Sequence, residues 1–202
     1  MVNRKVFGVG INDWDVSCSY IDDNGKKVTI KEYLLWYSML SRCYSSYTKK
    51  VRPTYENVTC DESWLSMKKF INDVSNIHGY DHCLEDGWVL DKDILVKGNK
   101  HYSIKTCCFV PSEINGSLTI RSLHRGDLPL GVTKNRAGKY VSRCGYDGSR
   151  LHIGVYDTVD EAFNAYVKVK KSELKRLADK YRYLISEDVY FALINREFNI
   201  DD

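Results

Sequence analysis

From Trp88 to Val96, bulky apolar residues at Trp88, Leu90, Ile94 and Val96 alternate with other positions. That spacing predicts a β-strand. A turn follows at Gly98-Asn99, and a second extended run covers Thr106 to Val110. Pro111 stops the run, and Ser112 is placed to N-cap a short helix carrying Glu113 and Asn115. The order is strand, loop, strand, helix. Upstream, the apolar period changes to that of a helix. Thr29 is expected to cap it, with Glu32 completing a capping box. Its apolar face runs Tyr33, Leu34, Tyr37, Leu40 and Tyr44, widened by Trp36 and Met39. Pro53 closes the next loop, and Asp61 is expected to cap a second helix with Trp64, Met67, Ile71 and Val74 on one face. Residues 6–30 are expected to be extended segments joined by a turn at Asp23-Asn24-Gly25.

After the short helix the pattern lapses. Residues 117–129 are polar, contain Gly126 and Pro129, and carry the expected domain boundary. Three short strands follow: Gly131 to Thr133, Lys139 to Arg143 and Leu151 to Tyr156. Their turns are Arg136-Ala137-Gly138 and Tyr146-Asp147-Gly148. Thr158 with Glu161 makes a capping box for a helix whose narrow apolar stripe is Ala162, Ala165, Tyr166 and Val169. The pairs Lys170-Lys171 and Lys175-Arg176 are assigned to its solvent side. A last helix is expected from Ser186 to Phe198. The fold class is α+β, divided into segments 1–28, 29–118, 119–129, 130–182 and 183–202.

Composition narrows the class. A chain of 202 residues holds one ordinary domain or two small ones. No apolar run approaches the roughly 20 residues that span a bilayer, so no membrane partner is expected. The N-terminal stretch MVNRKVFGVG lacks the apolar core of a signal peptide, and the expected location is the cytoplasm. Seven irregularly spaced cysteines with no CxxC pair are read as reduced thiols. Cys43, Cys60, Cys83 and Cys107 do not have paired zinc spacing, and structural zinc is not expected. The net charge of +3 hides an asymmetry: Arg121 to Arg182 holds 14 Lys/Arg against 7 Asp/Glu. A basic third of this kind is the footprint of a nucleic-acid partner.

The chemistry concentrates in the first strand. Asp91 and Asp93 lie two apart and point to one strand face, with Lys92 on the other. A strand–loop–strand–helix order can close two oxygen ligands around one hard divalent ion. The stretch WVLDKDILVKGNKHYSIKTCCFVPSEIN resembles the ββα-metal (HNH) nuclease motif, in the form found in phage and homing-type endonucleases. The resemblance implies Asp91 or Asp93 as first ligand, Asn99 as the structural loop residue, Asn115 as helix ligand, and Mg²⁺ or Mn²⁺ as cofactor. The family's base is a His beside the first ligand; here the strand says DKD, leaving Lys92, His101 and His82 as base candidates. LLWYSMLSRCY at 34–44 and CDESWLSMKKFINDV at 60–74 resemble the leader region of the same nucleases and are read as packing partners.

The segment GV…GKYV…IGVYDTVDEAFNAY resembles the ERF-type (Apetala-family) DNA-binding domain over about fifty residues. That family lays its sheet in the major groove. The resemblance implies base contacts from Thr133, Asn135, Arg143, Arg150 and His152, with Lys134, Arg136 and Lys139 as nearby phosphate contacts. Arg121, His124 and Arg125 are either phosphate contacts or a solvated linker. Together the two resemblances imply a phage or mobile-element, site-specific and metal-dependent DNA endonuclease that nicks double-stranded DNA as a monomer or homodimer. The alternative is a DNA-binding regulator or anti-host factor with a catalytically degenerate HNH fold. A third reading replaces DNA with RNA.

Overall fold

The computed structural model describes residues 5–119 and 128–202. The linker expected over 119–129, including Arg121, His124 and Arg125, falls largely outside the described residues. The fold is mixed α+β with small sheets, and it divides into two compact units between Pro111 and Ser112.

The first unit opens on a hairpin of β1 (Ser19–Ile21) and β2 (Lys27–Thr29), turned at Gly25 as the Asp-Asn-Gly run requires. Helix α1 (Lys31–Tyr44) follows, then α2 (Ser46–Val51), β3 (Thr59–Cys60), α3 (Met67–Val74) and α4 (Tyr80–Glu85). Strand β4 (Val89–Asp91) pairs antiparallel with β6 (Cys108–Val110), and β5 (His101–Tyr102) pairs parallel with β3. The core is built by two helices with the same spacing. Trp36, Met39, Leu40 and Cys43 of α1, and Met67, Phe70, Ile71 and Val74 of α3, recur at i, i+3, i+4, i+7 and are buried. Trp36 Nε1 donates to the Trp64 carbonyl at 2.9 Å, and Trp64 Nε1 donates to Asp73 Oδ2 at 2.8 Å. Both buried indoles therefore have partners.

Several expectations for this unit are corrected. Thr29 does not cap α1. It is spent as the last residue of β2, opposite Ser19, and Ile30 precedes the helix with no side-chain cap. The buried face of α1 is rotated from the expected one: Leu34 and Tyr37 are exposed, and Cys43 lies inside. Asp61 does not cap a long helix. A short 3₁₀ turn, Glu62–Leu65, intervenes, and Ser66 caps α3 by accepting from the Lys69 N–H. The strand expected from Trp88 to Val96 ends at Asp91, because the Asp91 carboxylate accepts the next two free N–H groups and turns the chain. The second extended run is short too: only Cys108–Val110 is paired.

The second unit holds α5 (Ser112–Leu118), a three-stranded antiparallel sheet of β7 (Val132–Lys134), β8 (Tyr140–Tyr146) and β9 (Ser149–Tyr156), then α6 (Val159–Lys180) and α7 (Glu187–Ile194). The β8–β9 turn has positive φ at both Asp147 and Gly148, as an Asp-Gly hairpin demands. Thr158 and Glu161 form the expected capping box. The sheet packs on α6 through Val132, Cys144, Ala162, Phe163 and Tyr166. Gly131 has a φ of +75°, and a Cβ there would sit 2.0 Å from the Tyr166 ring, so backbone and aromatic meet only because the residue is glycine. Ser186 caps α7, whose Val189 and Leu193 are buried, and α7 packs on α6.

The basic pairs of α6 are not all solvent-facing. Lys170 is buried, and its ammonium donates to the Ser117 carbonyl. Arg176 lies over the Tyr146 ring and bonds Glu173 at 2.8 Å and Asp147 at 3.2 Å. Lys171 and Lys175 do stay on the exposed side, paired with Glu197 and Asp179. Glu113 reaches Lys180 at 2.5 Å, the Tyr181 hydroxyl at 2.8 Å and Arg176 at 3.5 Å, which fastens α5 to α6. The sequence-based domain limit at residue 118 thus assigns α5 to the first domain, whereas α5 packs within the second unit. No helix among the described residues is long and apolar enough to cross a membrane.

Candidate functional site

The Asp91-Lys92-Asp93 segment sits where β4 ends. Asp91 Oδ1 accepts from the Asp93 N–H at 2.7 Å and the Ile94 N–H at 2.9 Å. The carboxyl is half-buried, and burial together with the neighbouring Asp93 charge pushes it up to about 6 from an ordinary value of 3.8. Lys92 is only 5% exposed. Its ammonium donates to the Asn99 carbonyl at 2.9 Å, sits 3.2 Å from Asp93 Oδ2, and lies over the Tyr102 ring. Two carboxylates brought this close favour a cation between or beside them. Lys92 supplies one charge, and oxygen donors of this kind suit Mg²⁺ or Mn²⁺, which accept one or two carboxylates and fill the rest of their shell with water and phosphate oxygens.

Asn99 holds the loop that carries these groups. Its Nδ2 donates to the Lys92 carbonyl at 2.6 Å and the His101 carbonyl at 2.7 Å, and its Oδ1 accepts the His101 N–H at 3.2 Å. One side chain spans both arms of the loop, and Gly98, at φ +78°, makes the turn that lets it do so.

The base candidates are each engaged. His101 Nδ1 is 2.8 Å from Thr59 Oγ1 and Nε2 is 2.9 Å from Asp61 Oδ1, so both ring nitrogens have partners. His101 and Tyr102 are successive strand residues and point to opposite faces, with Tyr102 on the Lys92 side. The imidazole therefore clamps β5 to β3. His82 Nδ1 is 2.6 Å from Asp86 Oδ2, and the ring stacks on Trp88. The Lys92 side chain is engaged by Asp93, the Asn99 carbonyl and the Tyr102 ring.

Asn115, the helix ligand of the sequence analysis, lies on α5 in the second unit. Among the described residues no group of three or more His, Cys, Asp and Glu side chains is placed to hold a metal ion. The cysteines are all free thiols, five of them buried. Burial raises the Cys83 thiol to about 11 and the Cys107 thiol to about 12, so these stay protonated.

The paired strands of the second unit sort the expected DNA contacts. Cross-strand partners share a face. Thr133, Val141 and Val155 are partners in one row, and Val132, Ser142 and Gly154 form the next row, on the core side. A bulge at Ser142/Arg143 follows. Arg143 then pairs with His152, and Gly145 with Arg150; Cys144, between them, is in the core. Thr133, Arg143, Arg150 and His152 are thereby brought to the outer face. Arg143 Nη1 donates to Thr133 Oγ1 at 3.3 Å. Asn135 is elsewhere: it closes the β7–β8 turn, its Oδ1 accepting the Lys139 N–H at 3.0 Å. Arg136 is exposed in that turn. Lys139 is paired with Asp157, and Lys134 lies over the Tyr140 ring.

Sequence reasoning missed Arg42. Its Nη1 donates to the Tyr102 hydroxyl at 2.9 Å and toward the Leu90 carbonyl at 3.5 Å, and Asp91 lies within its electrostatic reach. It also missed Thr59 and Asp61 as the partners of His101. No local pattern marks Arg42, whose neighbours three and four residues away are Ser38, Met39, Ser45 and Ser46.

The raised Asp91 carboxyl makes a prediction. Between about pH 4 and 6 the folded state keeps a proton that the unfolded chain releases, so stability falls as pH rises through that window. Asp91→Asn keeps the oxygen that accepts both N–H groups and removes the charge. At pH 7 without metal it is expected to raise stability by about 1–2 kcal/mol, with little effect at pH 4. Thermal melts at the two pH values read this directly, and an unchanged neutral-pH melt would rule it out.

No family model, curated protein or solved structure matches the chain.

Proposed function

We propose that the chain is a metal-dependent endonuclease of the ββα-metal type that nicks duplex DNA, with the second unit as an ERF-type reader. The observation that carries the reading is the Asp91 and Asp93 carboxylate pair at the end of β4, held in a loop that the single side chain of Asn99 spans. Asp91 and Asp93 would hold Mg²⁺ or Mn²⁺. Bound there, the ion would supply positive charge to a phosphate undergoing hydrolysis. Lys92 fixes the loop from within by its bond to the Asn99 carbonyl, and Asn99 sets the spacing between Lys92 and His101. Arg143, Arg150 and His152 on the outer sheet face supply donors for base edges and phosphates.

A specific observation favours a second reading. The position next to the first ligand is filled by a buried, bonded lysine, and His101 has both nitrogens occupied. A chain in which that arrangement has replaced the base is a DNA-binding regulator that never cleaves. The two readings part on Asp91 and Asp93: substitution removes cleavage but not binding in a nuclease, and changes neither in a pure binder.

The reader half is tested by binding to duplex DNA across a salt series. Affinity is expected to fall steeply as salt rises. Arg143→Ala should flatten the preference for a selected site over random duplex by about tenfold, whereas Lys171→Ala, paired with Glu197, should leave that ratio unchanged. Equal losses on specific and random DNA would reject the Arg143 assignment. Stronger competition by RNA than by duplex DNA would reject the DNA reading.

A further inference from the structure

The outer sheet face has a feature that positive charge does not account for. Its first row is apolar: Val155 is 51% exposed on β9, beside Val141 on β8, with the methyl-bearing Thr133 beyond Val141 on β7. Val141, in the central strand of that row, is 4% exposed. The next row is polar: Arg143 opposite His152, then Arg150 opposite Gly145. The three strands carry Lys134, Arg143, Arg150 and His152 and no carboxylate at all. A protein or peptide partner would be expected to meet some acid on such a face. An anionic partner that also presents an apolar group beside a hydrogen-bonding edge fits both rows.

Duplex DNA has such a group. In the major groove thymine presents its C5 methyl, and guanine presents O6 and N7 to an arginine fork. RNA lacks the methyl. We propose that Val155 is a specificity-determining residue that packs on a thymine methyl, one base step from a guanine read by Arg143. The inference rests on the second unit being a duplex-DNA reader. Thr133 has a double role. Its Oγ1 accepts from Arg143, which fixes the arginine fork, while its methyl joins the apolar row. The bulge between Ser142 and Arg143 separates the two rows and sets the offset between the two reading positions.

The test uses the full chain. Sites are selected from a random duplex library, and each thymine of the consensus is then replaced by uracil, which deletes only the methyl. The expected consensus has a thymine adjacent to a guanine. One uracil substitution is expected to weaken wild-type binding by about threefold to fivefold, the scale of one buried methyl. Val155→Ala is expected to bind the thymine and uracil sites equally, and Arg143→Ala to keep the uracil effect while losing the guanine preference. If Val155→Ala loses its far-UV spectrum, Val155→Thr, which keeps the branched shape, replaces it and is expected to shrink the uracil effect. Sequence-specific binding that is indifferent to every uracil substitution, or an unchanged uracil effect in the Val155 variants, would overturn this inference and leave the DNA reading standing. Failure to enrich any duplex would overturn both.

Discussion

Replacing Asp91 and Asp93 together with alanine is expected to lower metal-dependent nicking by at least about 100-fold while leaving duplex affinity within about twofold. The size follows from the role: the pair supplies the anionic oxygens proposed to hold the divalent ion, and no third acidic or imidazole side chain is placed with them among the described residues to take over. Binding should persist because the proposed contacts lie on Thr133, Arg143, Arg150 and His152, in the other compact unit. The alanine at 91 also strands the Asp93 and Ile94 N–H groups that its carboxylate now satisfies. Those orphaned donors cost about 1–3 kcal/mol, which offsets the gain from removing the buried charge, so the double variant is expected to melt below Asp91→Asn. Asp91→Asn separates the effects, because it retains the acceptor and changes the charge. Wild-type-like nicking by the double variant would remove these carboxylates from the site.

Asn99→Ala is the second large effect. The amide makes three hydrogen bonds, to the carbonyls of Lys92 and His101 and from the His101 N–H. At about 1 kcal/mol each, their loss is expected to cost about 3 kcal/mol. Other ties remain, among them the Lys92 ammonium on the Asn99 carbonyl and over the Tyr102 ring and the Thr106 hydroxyl on the His101 carbonyl, but none replaces the three bonds of the amide. Nicking should fall with the spacing of the loop. Asn99→Asp keeps one acceptor but faces two carbonyls with a carboxylate oxygen, and it should be no better than alanine. Denaturant melts that place either variant within about 0.5 kcal/mol of wild type would mean the loop is held some other way.

The parts that could be read from sequence were those written in local chemistry. The Asp-Gly turn at 147–148 and the Thr158–Glu161 capping box are fixed by residues that are neighbours in the chain, and both appear where the sequence puts them. Asn99 was legible as a loop residue because Gly98 beside it marks the turn. Where two local signals compete, tertiary pairing decides. Thr29 has a cap's chemistry but is drawn into β2, and Asp61 has a cap's chemistry but is bonded to His101. The buried face of α1 differs from the face expected from sequence because tyrosine and leucine count as apolar in a pattern. The unit buries Trp36, Met39, Leu40 and Cys43 instead, and leaves Leu34 and Tyr37 outside. Lys170 and Arg176 looked solvated because charge runs usually are; α6 buries Lys170 under α5 and ties Arg176 to Glu173, Asp147 and Glu113. The engagement of His101 by Thr59 and Asp61 depends on a parallel pairing across some forty residues of chain, which no local pattern announces.

The central claim is that Asp91 and Asp93 make this chain a metal-dependent nuclease. Its most direct measurement is the conversion of supercoiled plasmid, carrying a randomised insert so that a rare site is represented, by purified wild-type protein in Mg²⁺, in Mn²⁺ and in EDTA. The account predicts open-circular product with either ion and none with EDTA. Plasmid that is bound under all three conditions and cut under none would contradict it and leave a DNA-binding protein built on the same two units.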